Sequence, residues 1–434
     1  MTPALRSFEA QWRGRAVDPL SQVRGQAMER FMRLGIPTLR DESWRYTDLR
    51  SLVAQSFVDA PQGMPIGAEA HQAPLLKPAE SAVTVVMMNG RPVLPALPIH
   101  DGNNITINSL RELSRIDPML LSRHLEPLSD AEQQRWSLLN TALFVDGLYL
   151  KITGKLAAPI LVLHVSAGAS AGSIAYPRVI IEAAPGASAT VIEQHVTQGE
   201  VPPLCNSTTR IELHEDAEIE HYRVFLSGSE AAHIDSLDVR QGRGSRCKQF
   251  TIVLGGGLVR TTLDAHLSRP GACLDSYSLL VGHESRHTDC VNIATHAAPD
   301  TRSRQTARAI AGGTSRVVFN SKVVVGAGSI HADSQQSFRG LLLSPKAEID
   351  SRPQLEIHAD EVKCAHGSTT GRLDPNMLFY MLSRGLDRQT AQSLLVFAFL
   401  ADVLTGMSVP AARSAMESAL ITQLPDSQLL RNFR

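Results

Sequence analysis

The sequence predicts a mainly β protein. A parallel β-helix core spans residues 79–372, a helical domain ending in a linker precedes it (1–78), and a second helical domain follows (373–434). Three observations carry this expectation. Turns of Gly, Pro or Asp followed by a small residue and alternating apolar positions recur, at first roughly every 27 to 30 residues, the spacing of stacked repeats. No helical stretch between them is long enough for a crossover, and hairpin dipeptides are rare, which favours a β-helix over a sandwich. At both ends of the chain the apolar spacing becomes helical. A solenoid has two ends to protect, and the two helical segments are the expected caps.

Residues 1 to about 55 carry Phe8, Trp12, Val23, Ala27, Phe31 and Leu34 at helical spacing, stopped by Gly35-Ile36-Pro37. The aromatic and charged residues of the following segment offer a partner surface, but burial tendencies favour a capped helix entry with Trp44 and Tyr46 packed on neighbouring structure. Pro61, Pro65, Pro74 and Pro78 mark 56–80 as a linker. Val83–Met88 reads as a strand closed by the Asn89-Gly90 turn, and Asn104–Ile107 as another. A polar insertion of helical spacing is expected at about 108–138. Strands are then expected at Ala142–Leu150 and Pro159–Val165.

The repeated turns follow at Pro185-Gly186, Glu215-Asp216, Arg243-Gly244, Pro270-Gly271, Val325–Ile330 and Ser344-Pro345. From Asp374 the period is helical. Asp374 with Pro375 is an N-cap followed by Pro at the first helical position, and Met377, Leu378, Met381 and Leu382 form an apolar face ending at Gly385. Asp387 caps a second helix, apolar nearly all round from Leu394 to Leu404, which is expected to be buried or laid in a partner's groove. A last helix follows Pro410, and the tail from Pro425 is polar.

Composition excludes several functions. Lys and Arg number 42 against 43 Asp and Glu, so the basic excess needed for nucleic acid or a membrane surface is missing. Aromatic residues are 5% of the chain, too few for base-stacking platforms. Cys205, Cys247, Cys273, Cys290 and Cys364 are odd in number and widely spaced, which suits a reducing cytoplasm. No apolar run approaches a membrane span, and no secretory signal is expected at the N-terminus.

The chemistry concentrates in Arg352–Gly367, where the β texture gives way to helix. Cys364 and His366 lie two apart, so on a strand they share a face. Thiolate and imidazole suit iron, iron–sulfur clusters and zinc, but two ligands cannot close a structural zinc site, so a shared or labile site is indicated. The alternative is that Cys364 is a small buried hydrophobe. A second polar cluster comprises His283, Glu284, His287, Asp289, Cys290 and His296. It includes His-Glu-x-x-His, but that motif needs a helix and the context is β, so these read as solvated or stacked turn residues. Gly255–Gly257 and Gly312-Gly313 lack the Lys-Ser/Thr of a phosphate loop, and no G-x-S-x-G elbow is present. A polysaccharide-cleaving β-helix enzyme would need clustered carboxylates, whereas Asp289, Asp300, Asp333 and Asp350 are scattered.

Arg316–Asn320, Gln335–Ser344, Gln354–Ile357, Val362–Gly367 and Leu378–Gly385, in that order, resemble the C-terminal half of the SufB/SufD family of iron–sulfur cluster assembly proteins. Gly35-Ile36-Pro37, Glu42–Leu49 and Gly367 after the Cys-x-His look like the SufD branch, and Leu139–Ala142 extends the likeness over most of the chain. Ser321 departs from the family, which is expected to carry Gly there, at a turn. The resemblance implies a right-handed parallel β-helix with helical ends and a non-catalytic subunit. It implies a heterodimer with a SufB-like chain through the end of the β-helix, and a SufC-like ABC ATPase at the C-terminal helices. The apolar Leu394–Leu404 helix would face that ATPase. Sulfur would come from a cysteine desulfurase. His366, with Cys364 beside it, would be the metal-ligating or iron-entry residue for iron or a nascent iron–sulfur cluster, bound transiently at the SufB interface. Homodimerisation of the isolated chain and a role as primary, SufB-like scaffold are left open.

Overall fold

The computed structural model describes residues 1–63, 67, 75–76, 80–101, 104–127, 134–168, 170–199 and 201–423 of the 434. Pro65, Pro74 and Pro78 of the expected linker, the expected boundary at 78, part of the helical insertion (128–133) and the tail from Pro425 lie outside the described residues. The chain is mainly β, with a parallel β-helix of about eight turns and helices at both ends of the sequence.

Each turn of the β-helix contributes one strand to each of two sheets. The first, twelve-stranded sheet ends with Leu258–Leu267, His287–His296, Arg316–Val325 and Glu348–Ile357. The second, ten-stranded sheet ends with Cys273–Gly282, Arg302–Ala311, Asp333–Leu342 and Lys363–Gly371. Along most of the core, neighbouring strands are parallel and in unbroken register, as where Cys273 to Gly282 pair with Arg302 to Ala311. The first turn is closed by antiparallel neighbours: Arg91–Leu94 folds back on Val83–Met88 through Asn89 and Gly90, both at positive φ, and Ile105–Ser109 runs against Leu148–Ile152.

The repeated turns line one edge, where the first sheet passes to the second. Gly186, Asp216, Gly244, Gly271, Asp300, His331 and Glu361 all take positive φ there. Gly pays no Cβ penalty in that region and Asp a small one, which is why these residue types recur. The turns are also stitched together: Gly186 N–H donates to the Glu215 carbonyl, Asp216 to Arg243, Gly244 to Pro270, and His331 to Glu361. The Ser344-Pro345 copy belongs to the other edge, between Asp333–Leu342 and Glu348–Ile357, where Gly256, Glu284 and Gly313 supply the positive φ. Ser321 sits in mid-strand, paired with Asn292 and Pro353, rather than at a turn.

At the N-terminus α1 (Pro3–Arg13) and α2 (Ser21–Leu34) form as expected, with Gly35 at φ 69° ending α2, and a short α3 (Arg50–Val53) follows. The insertion holds α4 (Leu110–Ile116) and α5 (Pro118–Leu125). The strand expected from Ala142 begins only at Leu148, because α6 (Arg135–Leu143) occupies the preceding residues. All nine residues of α6 are buried, Arg135, Ser137, Asn140 and Thr141 among them, and the short apolar run Ala142–Val145 that straddles its end has no period to separate helix from strand. Asn140 fixes it, donating to the carbonyls of Pro177 (2.9 Å) and Asn206 (2.7 Å) on the first sheet. Phe8, Phe31, Trp44, Phe57 and Trp136 join Ile180, Leu204 and Ile234 in one apolar cluster, so the N-terminal helices cover the outer face of the first sheet.

The C-terminal helices are α7 (Pro375–Ser383), α8 (Arg388–Leu404) and α9 (Pro410–Thr422). Asp374 accepts from Asn376 N–H and Asp387 from Gln389 and Thr390 N–H, the expected caps. These helices do not cap the last turn of the β-helix. Val396, Leu400, Val403 and Leu404 of α8 pack on Tyr222, Phe250, Leu279 and Ile310, the outer face of the second sheet. Arg308 Nη2 fixes the contact by donating to Asp402 at 2.7 Å. At about 2 kcal/mol for each buried aliphatic side chain, those four stabilise the docking by roughly 8 kcal/mol before ordering costs. Among the described residues nothing covers the last turn, which is therefore left open.

Candidate functional site

The open end is built by Glu348–Ile357 and Lys363–Gly371, each paired on one side only. Alternation decides which side chains enter the bore. In the preceding strand, Ser334, Gln336 and Phe338 are buried, and they register with Cys364, His366 and Ser368. The three residues of the last strand therefore face the same interior, at its mouth. Ser368 Oγ donates to Ser351 Oγ at 2.9 Å, joining the two sheets across the last turn. Cys364 is half-buried against the apolar core and His366 is exposed. Two residues along a strand separate them by roughly 7 Å, close enough for one cluster and too far for one ion without movement. Burial pushes the Cys364 thiol up from its ordinary value, and Asp333 adds to the effect. Below His366 the bore continues with Gln336 and Gln305, buried amides without hydrogen-bond partners.

Around this mouth the surface is charged. Glu356 pairs with Lys322 (2.7 Å) and His358 (3.0 Å), and the Lys322 hydrogen bond chiefly holds its carboxyl down at about 2. His331 bridges Asp300 (3.0 Å) and Glu361 (3.6 Å).

Of the second cluster read in the sequence, His287 and Asp289 come together, through the Thr47 hydroxyl that both of them touch. Glu284 is a turn residue at φ 56°, His283 is exposed, and His287 begins a strand with its Nε2 3.0 Å from Thr47 Oγ1. Asp289 pairs with buried Arg260, Cys290 lies in the core, and His296 is held by Thr301 and Ser303, both at 2.8 Å. The scattered carboxylates are tied individually: Asp300 to His331, Asp333 to Arg304 and Asp350 to Arg316. None stands beside another as an acid–base pair. All five cysteines are free.

One buried constellation was missed by sequence reasoning. Glu193 accepts from or pairs with His164 Nε2 (2.9 Å) and His221 Nε2 (2.8 Å), and Thr209 Oγ1 donates to it at 2.7 Å. Burial pushes its carboxyl up, but those hydrogen bonds and imidazole charges outweigh burial and hold it well below the usual range. Nearby lie His195, Cys205 and His233. The available signal was weak: Glu193 and His195 share a strand face, but only the register brings in partners tens of residues away.

At the C-terminus the large exposed apolar side chains are on α7, Met377 (58%), Phe379 (72%) and Tyr380 (58%). The apolar face expected on α7 thus divides: Leu378 packs inward, and its neighbours face solvent. No helix among the described residues is long and apolar enough to cross a membrane.

Comparison with known proteins agrees with this architecture. The family described as "SUF system FeS cluster assembly, SufBD core domain" matches residues 164–399, and "SufBD protein N-terminal region" matches 6–160. The chain is similar to iron–sulfur cluster assembly protein SufD of Escherichia coli, 28% identical over 96% of this chain and 95% of that protein. A SufBD family protein of Synechocystis is 27% identical over 86% of this chain and 84% of its own length. SufD of Bacillus subtilis is 22% identical over 67% of each. With the core match alone covering more than half its length, this chain belongs to the SufBD family of iron–sulfur cluster assembly proteins and is a SufD homologue.

Proposed function

We propose that this chain is the SufD-type, non-catalytic subunit of a SufBCD-like complex, acting in the cytoplasm with a SufB-like chain and a SufC-like ABC ATPase. The observation that carries the reading is the uncapped last turn. Two strand edges with free backbone donors and acceptors surround Cys364, among the described residues the half-exposed thiol that has an imidazole beside it on the same face. Unpaired edges of this length are normally covered, so a second β-helix placed end to end is the natural occupant. His366 and Cys364 then lie in the seam, where iron or a nascent cluster is cargo completed by the partner's ligands. Met377, Phe379 and Tyr380 on α7 supply the surface for the ATPase, since α8 spends much of its apolar face on its own sheet.

Closure of the ATPase pulls on the C-terminal helices and opens the seam. Opening hydrates Cys364 and removes the burial that raises its thiol, so that incoming iron displaces the thiol proton more readily. Gentle affinity purification of the tagged chain from its host tests the partners, with a SufB-like chain and an ABC ATPase as the expected companions. His366→Ala should leave that complex assembled and reduce cluster formation at least tenfold. Normal loading of iron and sulfide in the variant would remove His366 from the role.

A further inference from the structure

We propose that His195, Cys205 and His233 form a second, internal site for one divalent transition-metal ion of the zinc and ferrous class, separate from the open end. Cys205 and His233 are register partners on adjacent strands of the first sheet, and His195 reaches them from the second sheet. One ligand atom from each lies within 4.8 Å of the others. A tetrahedral ion with metal–nitrogen and metal–sulfur distances of about 2.0 and 2.3 Å needs its ligands about 3.4 Å apart, so side chains need to close in by no more than about 1.4 Å.

The groups are prepared for this. All three residues are buried to 1% exposure or less. The His195 ring is clamped between His164, stacked at 4.4 Å, and Phe225, stacked at 4.7 Å. Ser227 Oγ lies 2.7 Å from His233 Nε2 and fixes that ring. Nδ1 of both His195 and His233 is buried without a hydrogen-bond partner. A core that merely packed would bear about 1–3 kcal/mol for each orphan, and coordination removes that cost. Burial lowers both imidazoles from their usual value, His233 to about 4. The thiol, raised to about 12 by burial, has the Ser166 and Ser207 side chains as hydrogen-bonding neighbours. Coordination forms the metal–sulfur bond and releases the thiol proton to solvent. Two imidazoles and one thiolate select zinc, cobalt or ferrous ions over magnesium or calcium and leave a fourth position for an exogenous ligand.

The test uses the full chain, stripped by chelator under reducing conditions and titrated with Co2+. One Co2+ per chain should bind, with intense tetrahedral visible bands and a thiolate-to-cobalt charge-transfer band. Cys205→Ser and His233→Gln should each abolish the charge-transfer band or weaken binding at least tenfold while the circular dichroism is kept. The double variant Cys364→Ser/His366→Ala should retain it. A wild-type chain without the thiolate band overturns the proposal. So does a band that survives Cys205→Ser, or one lost in the Cys364/His366 variant, which would place the ion at the mouth. If Cys205→Ser does not fold, the wild-type, His233→Gln and double-variant spectra decide between the same outcomes.

Discussion

Replacing Arg260 by Met should loosen the N-terminal helices from the β-helix. The Arg260 guanidinium pairs with Asp289, donates to the Ser43 carbonyl at 2.8 Å and lies 3.7 Å from the Trp44 ring. Both members of the ion pair are 1% exposed, so the small values typical of surface pairs do not apply. Arg260→Met leaves Asp289 charged in the interior with the Thr47 hydroxyl as its remaining strong partner. Breaking a buried pair from one side costs about 3–5 kcal/mol, and the lost cation–π contact about 2; as these overlap, a total of about 4 kcal/mol is expected. Arg260→Met/Asp289→Asn removes both charges and should cost only about 2 kcal/mol. At about 2.1 cal/mol/K per residue, the single variant should melt about 4 °C lower by calorimetry if the chain unfolds as one unit. Hydrogen exchange should quicken around Trp44 and Thr47. The reasoning fails if the double variant melts at or below the single one, because the unpaired charge would then not be the cause.

Phe379→Glu should weaken association with a SufC-like ATPase at least tenfold, measured by calorimetric titration. Its melting temperature should stay within about 1 °C, because the side chain is 72% exposed; unchanged affinity would exclude α7 from that interface. Acid should unfold the chain partly through Glu182, whose carboxyl is held at about 2, against an ordinary 4.5, chiefly by the His124 hydrogen bond and also by Tyr149. A depressed carboxyl contributes stability that is complete above about 4.5 and is lost as pH falls toward 2. Glu182→Gln should therefore flatten the pH dependence of melting in that window, and a variant as acid-sensitive as the parent would refute the assignment.

The β-helix was legible because its turns impose a steric demand. Positions 186, 216, 244 and 271 need positive φ, and Gly or Asp announces it. At His331 the preceding Gly326-Ala327-Gly328 still marks the turn, but where Glu361 fills the same geometry the repeat fades from view, although the backbone does not change. The run Ala142–Leu150 misled at its start because the four apolar residues Ala142–Val145 look alike as a helix end or a strand. Helices at the chain ends suggested caps, but sequence does not say which surface a helix covers. The partners of α8 are Tyr222, Phe250, Leu279 and Ile310, distant residues brought together by register. Cys364 and His366 stood out because they are close in sequence, whereas His195, Cys205 and His233 meet only after two sheets have stacked.

The turn-to-turn hydrogen bonds also make the β-helix a one-dimensional lattice in which each layer is held by the layers on either side. The final layer has a neighbour on one side only, so in the free chain it is the layer with least to hold it. That layer carries Cys364 and His366. Whatever covers it supplies the missing neighbour, so the free energy of association and the free energy of ordering these two residues are one quantity. If Cys364 and His366 take iron or a nascent cluster as proposed, its affinity at the mouth is set by how tightly the end is covered, and an isolated chain would bind it weakly.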